Sequence, residues 1–183
     1  MAPNPQLRPD QHTITVLVEN KPGVLSRCVG LFARRAFNIE SLAVNITDDP
    51  TLSRITVVVS GAERELDQIG KQLEKLVDVI HVVDYTGVPS LHRELALIKV
   101  CAEDVNKRAE IKQFAEVFRS SIVDVSDRSF VIEVTGDTDK IDALERLLEP
   151  YGILEMVRTG AVVIARGLAT AANPTSEGKE TRA

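Results

Sequence analysis

The run Asn20-Lys21-Pro22-Gly23-Val24-Leu25 sets a polar side chain, a proline and a glycine immediately ahead of an apolar repeat with helical spacing. The first turn of any helix carries backbone N–H groups without intrahelical partners and a partial positive charge. Such a corner suits a carboxylate, and a glycine lets a ligand approach the backbone closely. Asn20 adds an acceptor for an ammonium and donors for a carboxylate. Asn38 stands just past the other end of the same helix. Spacing alone favours a plainer reading, in which Pro22-Gly23 is only a turn and Asn38 only a C-terminal cap.

Other chemistry is hard to find. The three histidines, His12, His81 and His92, stand apart and show no metal-ligand spacing with cysteine or carboxylate. There is no nucleophile elbow and no phosphate loop, since Gly30, Gly61 and Gly70 are isolated. Asp48-Asp49 is a carboxylate pair, but adjacent acids before Pro50 read as a solvated turn. His81, on an apolar strand, reads as a structural histidine. No catalytic residue, metal site or cofactor is therefore expected in the chain, which is not expected to be an enzyme on its own.

The elements that position the corner follow from the hydrophobic period. Thr13 to Val18 alternates, with Ile14, Val16 and Val18 on one face, and predicts a strand. Leu25, Cys28, Val29, Phe32 and Ala36 then recur at helical spacing, with Ser26, Arg27, Arg34 and Arg35 opposite. A second strand follows Phe37-Asn38, with Leu42, Val44 and Ile46 on one face and the small residues Ser41, Ala43 and Asn45 on the other. A row of small residues lets another strand or chain come close, and an exposed edge is a liability unless paired. Pairing such edges across a two-fold axis would join two four-stranded sheets into one of eight. A third strand (52–60), a helix (about 63–76) and a fourth strand (77–85) complete a βαββαβ order, for which the ferredoxin-like arrangement is the natural topology.

The order then repeats. A strand at 94–101 precedes a helix carrying Ile111, Phe114, Ala115 and Phe118, and strands follow at 122–125 and 129–135. A helix with Ile141, Leu144 and Leu148 ends at Pro150 and Gly152, and a last strand, 153–164, bends at Thr159-Gly160. The expected fold class is α+β: two tandem ferredoxin-like βαββαβ domains, with antiparallel sheets and helices on one face. The expected divisions are a flexible N-terminus (1–11), a first domain (12–86), a linker (87–92), a second domain (93–167) and a disordered tail (168–183).

Composition limits the partners. A net charge of −5 argues against a nucleic-acid surface, and the 4% of aromatic residues argues against stacking on RNA. No run approaches the roughly 20 apolar residues that cross a bilayer. Met1 to Gln11 has neither the apolar run of a secretory signal nor the character of a transit peptide. Cys28 and Cys101 lie in apolar segments and read as buried thiols, so a cytoplasmic location is expected.

Several runs carry a more specific likeness. Val18-Glu19-Asn20-Lys21-Pro22-Gly23-Val24-Leu25 resembles the opening of an ACT domain, a small-molecule-sensing module of amino-acid pathways. Arg35 to Leu42, Thr47 to Arg54 and Gln72 to Val79 resemble the small, regulatory subunit family of acetolactate synthase (acetohydroxyacid synthase). Arg93 to Val100 and Phe118 to Val125 extend the likeness into the second half, so that it covers about His12 to Gly167.

That resemblance implies a non-catalytic homodimer bound to a large, catalytic subunit, a transferase that uses thiamine diphosphate, Mg and FAD. The pair would begin valine, leucine and isoleucine synthesis. The small subunit would stimulate its partner and confer feedback inhibition, typically by valine. The implied effector site lies between two ACT domains: Asn20, Gly23, Val24 and Leu25 from one chain, with Asn38 and Ile39 opposite. Lys21-Pro22 departs from relatives that carry an acidic residue and serine there. The equivalent corner of the second half, near Glu103-Asp104-Val105-Asn106, places acids where a carboxylate would sit. The competing expectation is a free-standing tandem ACT sensor acting on another enzyme or regulator.

Overall fold

The computed structural model describes residues 11–35, 37–61, 63–86 and 88–167. The expectations for the N-terminal arm before Gln11 and for the tail from Leu168 lie outside these residues. The chain forms two compact units. One takes the described residues up to Leu91 together with those from Ala161 onward, and the other is His92–Gly160. Residues 161–167, expected in the second half, thus group with the first unit.

The first unit runs β1 (Gln11–Glu19), α1 (Val24–Arg34), β2 (Asn38–Ile46), β3 (Leu52–Ser60), α2 (Glu63–Leu73), β4 (Val79–Asp84). Its antiparallel sheet has the order β2-β3-β1-β4, which puts β1 and β3 in the centre and β2 at an edge. Ile14, Val16 and Val18 of β1 and Ile55, Val57 and Val59 of β3 share one face, because residues two apart in a strand point the same way. Both helices bury their apolar stripes against that face, through Cys28 and Phe32 of α1 and Leu66, Ile69 and Leu73 of α2. Of the stripe expected for α1, Cys28 and Phe32 are buried, Val29 is half-buried and Ala36 lies outside the described residues. Leu25 is 40% exposed, and Val24 and Leu31 are buried in addition. The cause is the helix start at Val24, whose side chain is 3% exposed and fills the core beneath the corner.

The opposite face of this sheet departs from simple alternation. Thr13 and Thr15, which the pattern would send to solvent, are 0% and 1% exposed. Within the first unit β9 (Val162–Ala165) comes onto this face: Val163 packs with Val83 and Tyr85, and the Ser41 hydroxyl accepts from Ala161 N at 2.8 Å. The small residues of β2 therefore admit a strand of the same chain.

The second unit holds β5 (Ser90–Cys101), α3 (Val105–Val117), β6 (Ser121–Val125), β7 (Ser129–Gly136), α4 (Thr138–Leu148) and β8 (Ile153–Arg158). Strand β5 starts inside the stretch expected to be a linker, since Ser90, Leu91 and His92 already alternate buried and half-buried. The sheet order is β6-β7-β5-β8. Ala96, Ile98 and Val100 of β5 and Phe130, Ile132 and Val134 of β7 meet Ile111 of α3 and Ile141, Leu144 and Leu148 of α4 in one core. The last strand, expected to be continuous and bent, is two strands broken at Gly160, whose φ is 81°. The fold class is the expected α+β, two antiparallel sheets each with helices on one face.

Candidate functional site

The corner between β1 and α1 is held from three sides. Asn20 N donates to Thr51 O at 2.7 Å and Glu19 N donates to Asp78 O at 2.9 Å, fixing the end of β1 between two neighbouring segments. Gly23 then turns the chain with φ 83° and ψ −11°, the left-handed region that glycine enters without the penalty of a Cβ. The first backbone bond of the helix runs from Arg27 N to Gly23 O at 3.1 Å. Arg27 also pairs with Asp78 at 2.5 Å, tying α1 to the segment that supports Glu19.

No side chain caps α1. The amides of Leu25 and Ser26, in its first turn, have no carbonyl within the helix to which they can donate. Helices α3 and α4 differ. Asp104 accepts from Lys107 N at 2.8 Å and Asp137 accepts from Lys140 N at 2.9 Å, so each satisfies its own N-terminus with a carboxylate. The chain has thus placed its own anion at the starts of α3 and α4 and a glycine at the start of α1. Asp104 is the acid noted in the second half's equivalent corner, and it fills the position an incoming carboxylate would need.

Asn20 is exposed, and its Nδ2 donates to Pro50 O at 3.0 Å. The amide nitrogen is therefore held by the β2–β3 turn, which orients Oδ1 as an acceptor. That turn is built on Asp49, whose carboxylate accepts from the backbone N and hydroxyl of Thr51, bonds that hold its pKa below the ordinary carboxylate value. Asp49 and Pro50 therefore brace Asn20 within the expected solvated turn, a role that the sequence did not show. The register offered a signal: Glu19 stands opposite Leu52, which puts Asn20 next to Thr51. Lys21 Nζ pairs with Glu19 Oε2 at 2.6 Å, and that contact raises its pKa, so the cation is already partnered within the chain.

Asn20, Gly23, Val24 and Leu25 are brought together here; Asn38 and Ile39 are not. The eleven residues of α1 put its two ends roughly 16 Å apart. Asn38 opens β2 opposite Ser60 and is exposed, while Ile39 is half-buried against the first core. One amino acid cannot touch both asparagines of a single chain. Among the described residues no group of three or more His, Cys, Asp or Glu is placed to hold a metal ion. No described helix is long and apolar enough to cross a membrane.

Comparison with known proteins agrees in both halves. Residues 14–81 match the family described as AHAS small subunit-like ACT domain, and residues 93–167 match that of the small subunit of acetolactate synthase. A probable acetolactate synthase small subunit from Archaeoglobus fulgidus is 54% identical over 157 residues, 86% of this chain and 98% of that protein. One from Methanothermobacter thermautotrophicus is 47% identical over 165 residues, 90% of this chain and 98% of that protein. The crystal structure of the acetolactate synthase small subunit from Thermotoga maritima superposes with a TM-score of 0.79 at 40% identity, covering 88% of this chain and 99% of that one. With both halves matched and almost the whole length of these relatives spanned, the chain belongs to the family of acetolactate synthase small subunits.

Proposed function

We propose that the chain is a regulatory subunit that stimulates a catalytic acetolactate synthase subunit and makes it sensitive to valine or a related branched-chain amino acid. The uncapped start of α1 at Gly23 carries this reading, because two other helices of the same chain are closed by aspartates. The effector carboxylate takes the amides of Leu25 and Ser26, and its ammonium takes Asn20 Oδ1. A second copy of the chain supplies Asn38 and Ile39, which lie too far away in the first. Two copies meet along the edges of β2, whose Leu42, Val44 and Ile46 are exposed beside the apolar face of the sheet. Thiamine diphosphate, Mg and FAD belong to the catalytic partner, where the condensation of 2-oxo acids takes place.

Valine inhibits by binding one state of the assembly better than the other, and coupling of roughly 1–3 kcal/mol is typical of such linkage. The test is reconstitution of this chain with an acetolactate synthase catalytic subunit from the same organism, assayed across a valine titration. The chain raises the partner's rate, valine lowers it again, and Asn20→Ala keeps the stimulation but loses the inhibition. An Asn20→Ala assembly as valine-sensitive as the parent would remove the corner from the mechanism.

A further inference from the structure

A second polar feature lies on the other face of the first sheet, away from α1. A cavity of about 300 Å³ opens there, lined by Ala43, Asp48, Arg54, Val162 and Val163 among others, all in the first unit. That volume is at the small end of ligand pockets. Arg54, on central strand β3, stands directly opposite Leu17 and Asn45. Its Nε is buried without a hydrogen-bond partner. Neither Arg54 nor Asp48 joins an ion pair among the described residues, although both line this cavity.

A guanidinium whose Nε is drawn out of water and left without an acceptor is a cost that sheet packing does not require, since an apolar residue beside Leu17 would avoid it. The planar donor fork of arginine matches a carboxylate. Asp48, at the mouth, offers an acceptor of opposite charge that suits an ammonium. Ala43, Val162 and Val163 supply an apolar wall. We propose that this cavity is a second binding site for an aliphatic α-amino acid, with its carboxylate on Arg54, its ammonium on Asp48 and its side chain against Val162 and Val163. Unlike the corner at α1, the site is complete within one chain and does not depend on a second copy.

The test uses the full chain carrying Asn20→Ala, which weakens the corner, and counts bound ligand by equilibrium dialysis with L-valine, L-leucine and the 2-oxo acid of valine. The chain is expected to hold one amino acid and to bind the oxo acid far more weakly, because the oxo acid lacks the ammonium. Adding Arg54→Gln weakens amino-acid binding by at least about tenfold. Adding Asp48→Asn, a change at an exposed turn that the fold tolerates, weakens the amino acid and strengthens the oxo acid. The proposal is overturned if the Asn20→Ala chain binds nothing. It is equally overturned if Asp48→Asn leaves the preference between amino acid and oxo acid unchanged.

Discussion

Gly23 sets the backbone of the corner, and that role separates experimentally from ligand binding. A Cβ there would sit 3.5 Å from Arg27 Nη1, an ordinary contact, so space is not the constraint. The φ of 83° is, and Gly23→Ala should lower stability by about 1–2 kcal/mol, read as a lower urea midpoint. Asn20→Ala acts differently. In the proposed site it would remove one bond to the ligand's charged group, an interaction worth roughly 1.5–3 kcal/mol, so calorimetry should find valine affinity at least tenfold weaker with little change in stability. Asp104→Ala is the counterpart in the second unit: loss of a cap of about 1 kcal/mol should lower Tm by several degrees and leave valine binding intact. The Pro22-Gly23 corner was legible in the sequence because few residues other than glycine enter that region of backbone space. The bracing by Pro50, Thr51 and Asp78 was not, because it depends on strand register and on a contact fifty-one residues away in sequence.

At the scale of elements, the proposed function makes the edge strand β2 the seam between two copies. Val44 is exposed in the isolated chain, so Val44→Asp should leave the fold intact while placing a charge in the proposed seam. Sedimentation velocity should show the parent as a dimer and Val44→Asp as a monomer; a dimeric variant would move the interface elsewhere. Strand β5 carries a pH dependence. Burial, with help from the Arg93 charge, lowers the pKa of His92 below 6.5 in the folded chain, so the unfolded chain takes up its proton first. The contribution of His92 is therefore complete above about pH 6.5 and lost as the pH falls, and His92→Gln should flatten that part of the stability profile. The βαββαβ order was readable in both halves, since each strand and helix changes the hydrophobic period. The place of β9 was not. Val162 to Ala165 looks like any short apolar strand, and only the folded chain shows Val163 packed with Val83 and Tyr85.

For the whole molecule, the central claim is that one effector site is built from two chains. Asn20 and Asn38 stand at opposite ends of α1, so in the proposed two-fold dimer each site would take one asparagine from each subunit. Asn20→Ala and Asn38→Ala chains, prepared separately, should each bind almost no valine at the dimer interface. Mixed and allowed to exchange, they form heterodimers in which one of the two sites regains both asparagines and the other loses both. Arg54→Gln in both chains removes any binding at the far face of the sheet. Valine capacity measured by dialysis on that mixture should then recover to about a quarter of the parental interface capacity, the share set by random pairing of subunits. Exchange that restores no binding, or an Asn38→Ala homodimer that binds like the parent, would contradict a site shared between two chains.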